Sequence, residues 1–158
     1  MNHDSLIERI RLEIPLLDQV VQKAIDAWNE GAKSPDNQEI YIGYVALNLH
    51  GFYSGLEKIF ILTARLIDGD VPKEKDWHSK LVEQISKDYK DIRPGIIGTN
   101  SAKMLDEFKR FRHVVRNVYT FSLAPEKIGP LIKQLPVLWK QIRIELVDFS
   151  RFLETINQ

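Results

Sequence analysis

Apolar residues recur every three or four positions along almost the whole chain, and no alternating run long enough for a strand interrupts them. The pattern predicts an all-α protein, a bundle of about five helices with short connections. The first helix opens at Asp4 or Ser5, either of which can cap it, and closes at Asn29-Glu30-Gly31, where the glycine is a natural stop. Pro15 falls inside it and is expected to kink or split it, because proline lacks the N–H and crowds the preceding turn. Ser34-Pro35-Asp36-Asn37-Gln38 reads as a turn. A long second helix carries Tyr41, Tyr44, Leu47, Phe52, Leu56, Ile59, Phe60 and Ile67 and ends at Asp68-Gly69-Asp70, before the break at Val71-Pro72. Asp76 caps a third helix running from Trp77 to about Tyr89. The Pro- and Gly-bearing stretch Ile92 to Asn100 is the longest irregular connection. A fourth helix, capped by Asn100 or Ser101, runs to about Phe121. After Leu123-Ala124-Pro125 a fifth takes most of the remainder, with Pro130 and Pro136 disturbing its first half.

The fourth helix concentrates the chemistry. Met104, Phe108, Phe111, Val115 and Val118 are spaced 4, 3, 4 and 3 apart, one apolar stripe, with Leu105, Val114 and Phe121 on its flanks. Helices that are apolar on more than one side sit centrally, or between their own core and a partner subunit. Against that background Arg112 and Arg116 lie one turn apart with Tyr119 close by, and His113 and Asn117 lie one turn apart further round. Five cations (Lys103, Lys109, Arg110, Arg112, Arg116) face two carboxylates (Asp106, Glu107) along this helix, a local patch able to hold phosphates. Spacing alone also fits arginines laid along a bundle surface and a histidine that is simply a satisfied polar group.

Composition narrows the field. Lys plus Arg equals Asp plus Glu at 22 each, so the chain as a whole has no field to steer it to a polyanion. With 158 residues and 44% apolar content the chain suits one domain, residues 1–158, with a proper core. No cysteine is present, which removes disulfides, thiolate catalysis and Cys-based zinc sites. No apolar run approaches the roughly 20 residues that span a bilayer. The start Met1-Asn2-His3-Asp4-Ser5 lacks the basic and apolar regions of a secretory signal, so a cytoplasmic protein is expected. No Glu-x-x-His pair of the kind that builds metal sites in bundles occurs, and neither metal nor cofactor is expected.

Elsewhere, His50, Ser54 and Glu57 form a polar line along the second helix, and Glu57 is a carboxylate suited to holding an arginine of the fourth. His78 reads as a surface or capping residue beside a packed Trp77. Tyr41, Tyr44, Phe52 and Tyr53 read as core or interface, and Trp28 and Trp139 as bundle packing.

Three stretches, in order, resemble the HEPN superfamily, in particular the HepT-like ribonuclease toxins found beside minimal nucleotidyltransferase antitoxins. They are Phe52-Tyr-Ser-Gly-Leu-Glu-Lys-Ile-Phe60, Asp76-Trp-His-Ser-Lys-Leu81 and the helix Phe108-Lys-Arg-Phe-Arg-His-Val-Val-Arg-Asn-Val-Tyr-Thr-Phe121. With the intervening lengths the likeness spans roughly residues 40–150. It implies a HEPN-type bundle and metal-independent RNA cleavage at a cleft between two subunits, each giving one signature helix. Arg112 matches the signature Arg, and Tyr119 matches the Tyr that the partner nucleotidyltransferase modifies with AMP in related systems. The implied partners are a second copy of the chain, RNA and a cognate nucleotidyltransferase, with neither membrane nor DNA among them.

One position departs from the pattern. The signature His falls on Asn117, and asparagine has no useful proton to exchange. Removing the 2′-OH proton and protonating the leaving 5′-oxygen calls for a group such as histidine. Either His113, one turn earlier, stands in, with Arg112 and Arg116 on the phosphate, or the chain is a degenerate member that binds RNA or a partner without cutting.

Overall fold

A computed structural model describes residues 3–119 and 122–156. Five α-helices carry the described chain: α1 (His3–Lys33), α2 (Gln38–Thr63), α3 (Trp77–Ile85), α4 (Thr99–Asn117) and α5 (Pro125–Ile156). Among the described residues there is no strand, only an isolated bridge between Tyr89 and Arg93. The protein is all-α, as the periodicity predicts.

The helices α1, α2, α4 and α5 pack as a ring in which each touches the next and α5 returns to α1, while α3 lies across α2 and α4. Neighbours run antiparallel: Arg11 near the start of α1 pairs with Glu154 at the end of α5, and Asp18 with Trp139 and Arg143. Every long helix sends one face inward, where Phe52 of α2 meets Phe108 of α4 at 5.5 Å and Trp139 of α5 at 6.0 Å, both edge-on. Edge-to-face contact is the favoured aromatic geometry. Gly55 lets α1 and α2 approach closely: a Cβ there would lie 2.8 Å from Leu17 Cδ2.

Several boundaries differ from expectation. Pro15 neither splits nor ends α1, which continues through it to Lys33. Its neighbours Ile14 and Leu17 are buried, and their packing outweighs the roughly 3 kcal/mol of a proline in a helix interior. Pro130 and Pro136 likewise lie within α5. Helix α2 passes into a π-helical turn, Ala64–Asp68, stopped by Gly69 in the left-handed region at φ 70°. Helix α3 ends at Ile85, four residues before Tyr89, because the Ile85 carbonyl is taken by the Ile96 amide of the returning loop.

Helix α4 begins at Thr99 and ends at Asn117, with Val118 already extended at φ −130°. Phe121, where its end was expected, lies outside the described residues. The early start has a tertiary cause. Glu145 of α5 accepts hydrogen bonds from the Gly98 amide and from Ser101 Oγ (2.7 Å), so one orphan backbone donor and a first-turn hydroxyl are met from another helix.

Candidate functional site

The site grows from the antiparallel pair α2 and α4. On α2, residues three and four apart share a side, which aligns His50, Tyr53 and Glu57. On α4, Arg112 and Arg116 run along the facing side in the opposite direction. Phe108 and Phe111 are buried and anchor α4, so the arginines one residue beyond the stripe emerge at the edge of the α2 contact. Arg112 is half-buried, and its Nε is enclosed without a hydrogen-bond partner.

The two helices share an electrostatic field. Burial, then the Arg112 and Arg116 cations, hold the His50 imidazole below its usual value of 6.5, against an opposing pull from Glu57. Burial, then the charge of Glu57, pushes the Tyr53 phenol well above its ordinary value of 10. The Tyr53 hydroxyl is enclosed beside that carboxylate without completing a well-aligned hydrogen bond.

Glu57, expected to hold an arginine of the fourth helix, instead takes His78: Nδ1 lies 2.6 Å from Glu57 Oε2. His78 is the second residue of α3, and its ring stacks on Trp77 with centroids 3.6 Å apart. The expectation of a surface or capping histidine thus gives way to a fixed one. The sequence offered no local signal for that pairing, since residues 57 and 78 are joined only by the fold; the Trp77-His78 element of the resemblance was the one pointer.

His78 opens onto a groove of about 420 Å³ between the start of α3 and the exposed side of α4. Asp76, Ser79, Lys109, Arg110, Arg112, His113 and Val114 complete its lining. Three cations and two histidines therefore meet a single carboxylate there. Lys109 reaches across to Ser79 Oγ and also pairs with Asp106 at 2.7 Å, tying α4 to α3.

The remaining sequence candidates divide. His113 is exposed and lines the groove. Arg116 is exposed and acts on His50. Asn117 is exposed and donates from Nδ2 to the His113 carbonyl at 2.7 Å, so its amide is folded back onto its own helix. Tyr119, just past the helix end, is 74% exposed. Among the described residues no group of three or more His, Asp or Glu side chains is placed to hold a metal ion. Among the described residues no helix is long and apolar enough to cross a membrane.

An all-helical bundle that presents a basic, histidine-bearing helix beside a second histidine defines the class: a small helical protein with a basic groove lined by His78 and His113. The chain belongs to the HepT-like family, whose model, described as HepT-like protein, matches residues 44–153, from within α2 to near the end of α5. Neither the curated proteins nor the solved structures include a significant match to this chain.

Proposed function

We propose that this HepT-like chain, residues 1–158 as one HEPN domain, is a cytoplasmic ribonuclease toxin that cleaves RNA without a metal or cofactor. It works as a homodimer with the α4 helices at or near the subunit interface, and a cognate minimal nucleotidyltransferase neutralises it. The observation that carries this reading is the groove in which Arg112, Lys109, Arg110 and His113 converge in a chain with no net charge. Arg112 and Arg116 hold the scissile phosphate, and a guanidinium fork suits that bidentate task. His113 carries a proton between the groove and the reacting oxygens. The nucleophile is the 2′-OH, which makes RNA and not DNA the substrate.

Incubating the purified protein with tRNA or mRNA tests this. Wild-type protein is expected to cleave, and Arg112→Ala to lose roughly 10²–10³-fold, the usual cost of one preorganised charge donor. His113→Ala is expected to fall comparably; cleavage at the wild-type rate by the His113 variant would remove its role.

Asn117 at the signature His position favours a second reading, a binding module that complexes the nucleotidyltransferase or RNA without cutting. Under that reading no cleavage occurs, and overexpressed Arg112→Ala and wild-type proteins leave growth equally unaffected while wild-type protein still captures its partner.

Tyr119 is proposed as the acceptor of AMP from the nucleotidyltransferase, in keeping with its exposure at the end of α4. Treatment with that enzyme and ATP should add the mass of one or more AMP groups to the wild-type chain and none to Tyr119→Phe. An equal mass gain by both would exclude this tyrosine.

A further inference from the structure

The contact between Glu57 and His78 joins a buried carboxylate to a histidine that reaches the groove. An ionised carboxylate only accepts hydrogen bonds, so His78 Nδ1 donates to Glu57 Oε2 across 2.6 Å. In the neutral imidazole that bond keeps the proton on Nδ1 and leaves the Nε2 lone pair available. The carboxylate is held in place from below: the Glu57 side chain is 9% exposed, whereas His78 is 27% exposed and reaches the groove. Stacking on Trp77, with planes 29° apart, restricts the ring further. Among the described residues, the hydrogen bond through Nδ1 is the one that His78 makes. A histidine serving only to neutralise a buried glutamate would have no need to line the same groove as Arg112 and His113.

We propose that His78 is the general base of the site, positioned by Glu57, and that His113 on the opposite wall of the groove is the general acid. The inference rests on the ribonuclease reading above and supplies the second proton carrier that Asn117 cannot provide. In the step itself the 2′-oxygen attacks phosphorus while its proton passes to His78 Nε2. The bond from phosphorus to the 5′-oxygen breaks, and His113 gives that oxygen a proton. The products are a 2′,3′-cyclic phosphate and a free 5′-OH. The two imidazoles end with exchanged protonation states and reset through solvent. Glu57 stabilises the imidazolium formed on His78, and Arg112 faces the phosphate.

The test uses a short oligoribonucleotide and its analogue in which the 5′-bridging oxygen at the scissile linkage is sulfur, a leaving group that needs no proton. His78→Ala should slow cleavage of the normal substrate by roughly 10²–10⁴-fold, the usual contribution of a positioned acid–base group. Added imidazole should restore part of that rate, which a misfolded protein would not permit, and His78→Gln provides a second, conservative variant. The sulfur substrate should rescue His113→Ala and leave His78→Ala slow. Glu57→Gln should lower kcat by about tenfold or more with KM little changed, the mark of a positioning residue.

Wild-type rates for both His78 variants would overturn the assignment while leaving the nuclease reading intact, provided Arg112→Ala is inactive. Rescue of His78→Ala by the sulfur substrate would overturn it as well, by making His78 the acid. Absence of RNA cleavage by the wild-type protein would overturn this inference together with the reading on which it rests.

Discussion

At the scale of single residues, the α2–α4 seam works because each charge there changes its neighbours' protonation. His50 is held neutral by burial and by Arg112 and Arg116, more strongly than Glu57 draws it toward the charged form. The unfolded chain binds that proton near pH 6.5 and the folded chain only at lower pH, so stability is lost as pH falls from about 6.5 to the folded value. Urea unfolding of wild-type protein at pH 7.5 and 5.5 should show this loss, and His50→Gln should show a smaller one. Arg116→Ala removes one of the two cations and should raise the His50 titration midpoint seen by NMR; an unmoved midpoint would contradict the coupling. Tyr53 answers in the opposite sense, since its raised phenol keeps its proton in the fold after the unfolded chain has begun to lose it above pH 10. Residue types were legible in the sequence here, and so was the shared side of α2 that carries His50 and Glu57. The partner of Glu57 was not, because hydrogen-bonding capacity says nothing of direction.

At the scale of elements, the irregular connection that ends at Gly98, before α4, is anchored by one buried ion pair. Arg93 Nε and Nη2 each lie 2.7 Å from the two oxygens of Asp68, on the π-helical turn, and both side chains are fully buried. Arg93 also donates to the carbonyls of Lys87, Gln84 and Pro94, and Gln84 Nε2 meets Asp68 Oδ2 at 2.7 Å. The pair is thus well satisfied, and removing one partner strands the other. Arg93→Ala is expected to cost roughly 3–5 kcal/mol in urea unfolding, whereas replacing both residues with apolar ones of similar size should cost far less. A loss under about 1 kcal/mol for Arg93→Ala would show the pair to be incidental. The turn residues Pro94, Gly95 and Gly98 announced this loop as irregular. Helix ends were read less well: α3 stops early and α4 starts early through contacts with Ile96 and Glu145, partners remote in sequence.

At the scale of the whole molecule, the ring of four helices around Phe52, Phe108 and Trp139 leaves apolar surface outside. Leu47 on α2 is 65% exposed, and Val114 and Val118 at the end of α4 are each 40% exposed. The proposed dimer would cover the α4 positions, and a partly apolar stripe fits an interface better than a bare surface. Sedimentation equilibrium at micromolar concentration should therefore return a dimer, and Val114→Asp should shift it toward monomer without loss of helical circular dichroism. A wild-type chain that stays monomeric at ten times that concentration would remove the shared cleft from the mechanism.

The signature helix, with Arg112, His113, Arg116 and Asn117 in register, was determined by sequence alone, because helical spacing converts directly into angular position. So were the all-α class and the membership of a HEPN-type family, since apolar period and motif order do not depend on how helices are arranged. Only the tertiary structure decided that Pro15 is carried within one helix, that Glu57 grips His78, and that His78 and His113 face one groove. Each of these is a choice among partners far apart in the chain, made by packing energies that outweigh local preference and that no spacing rule contains.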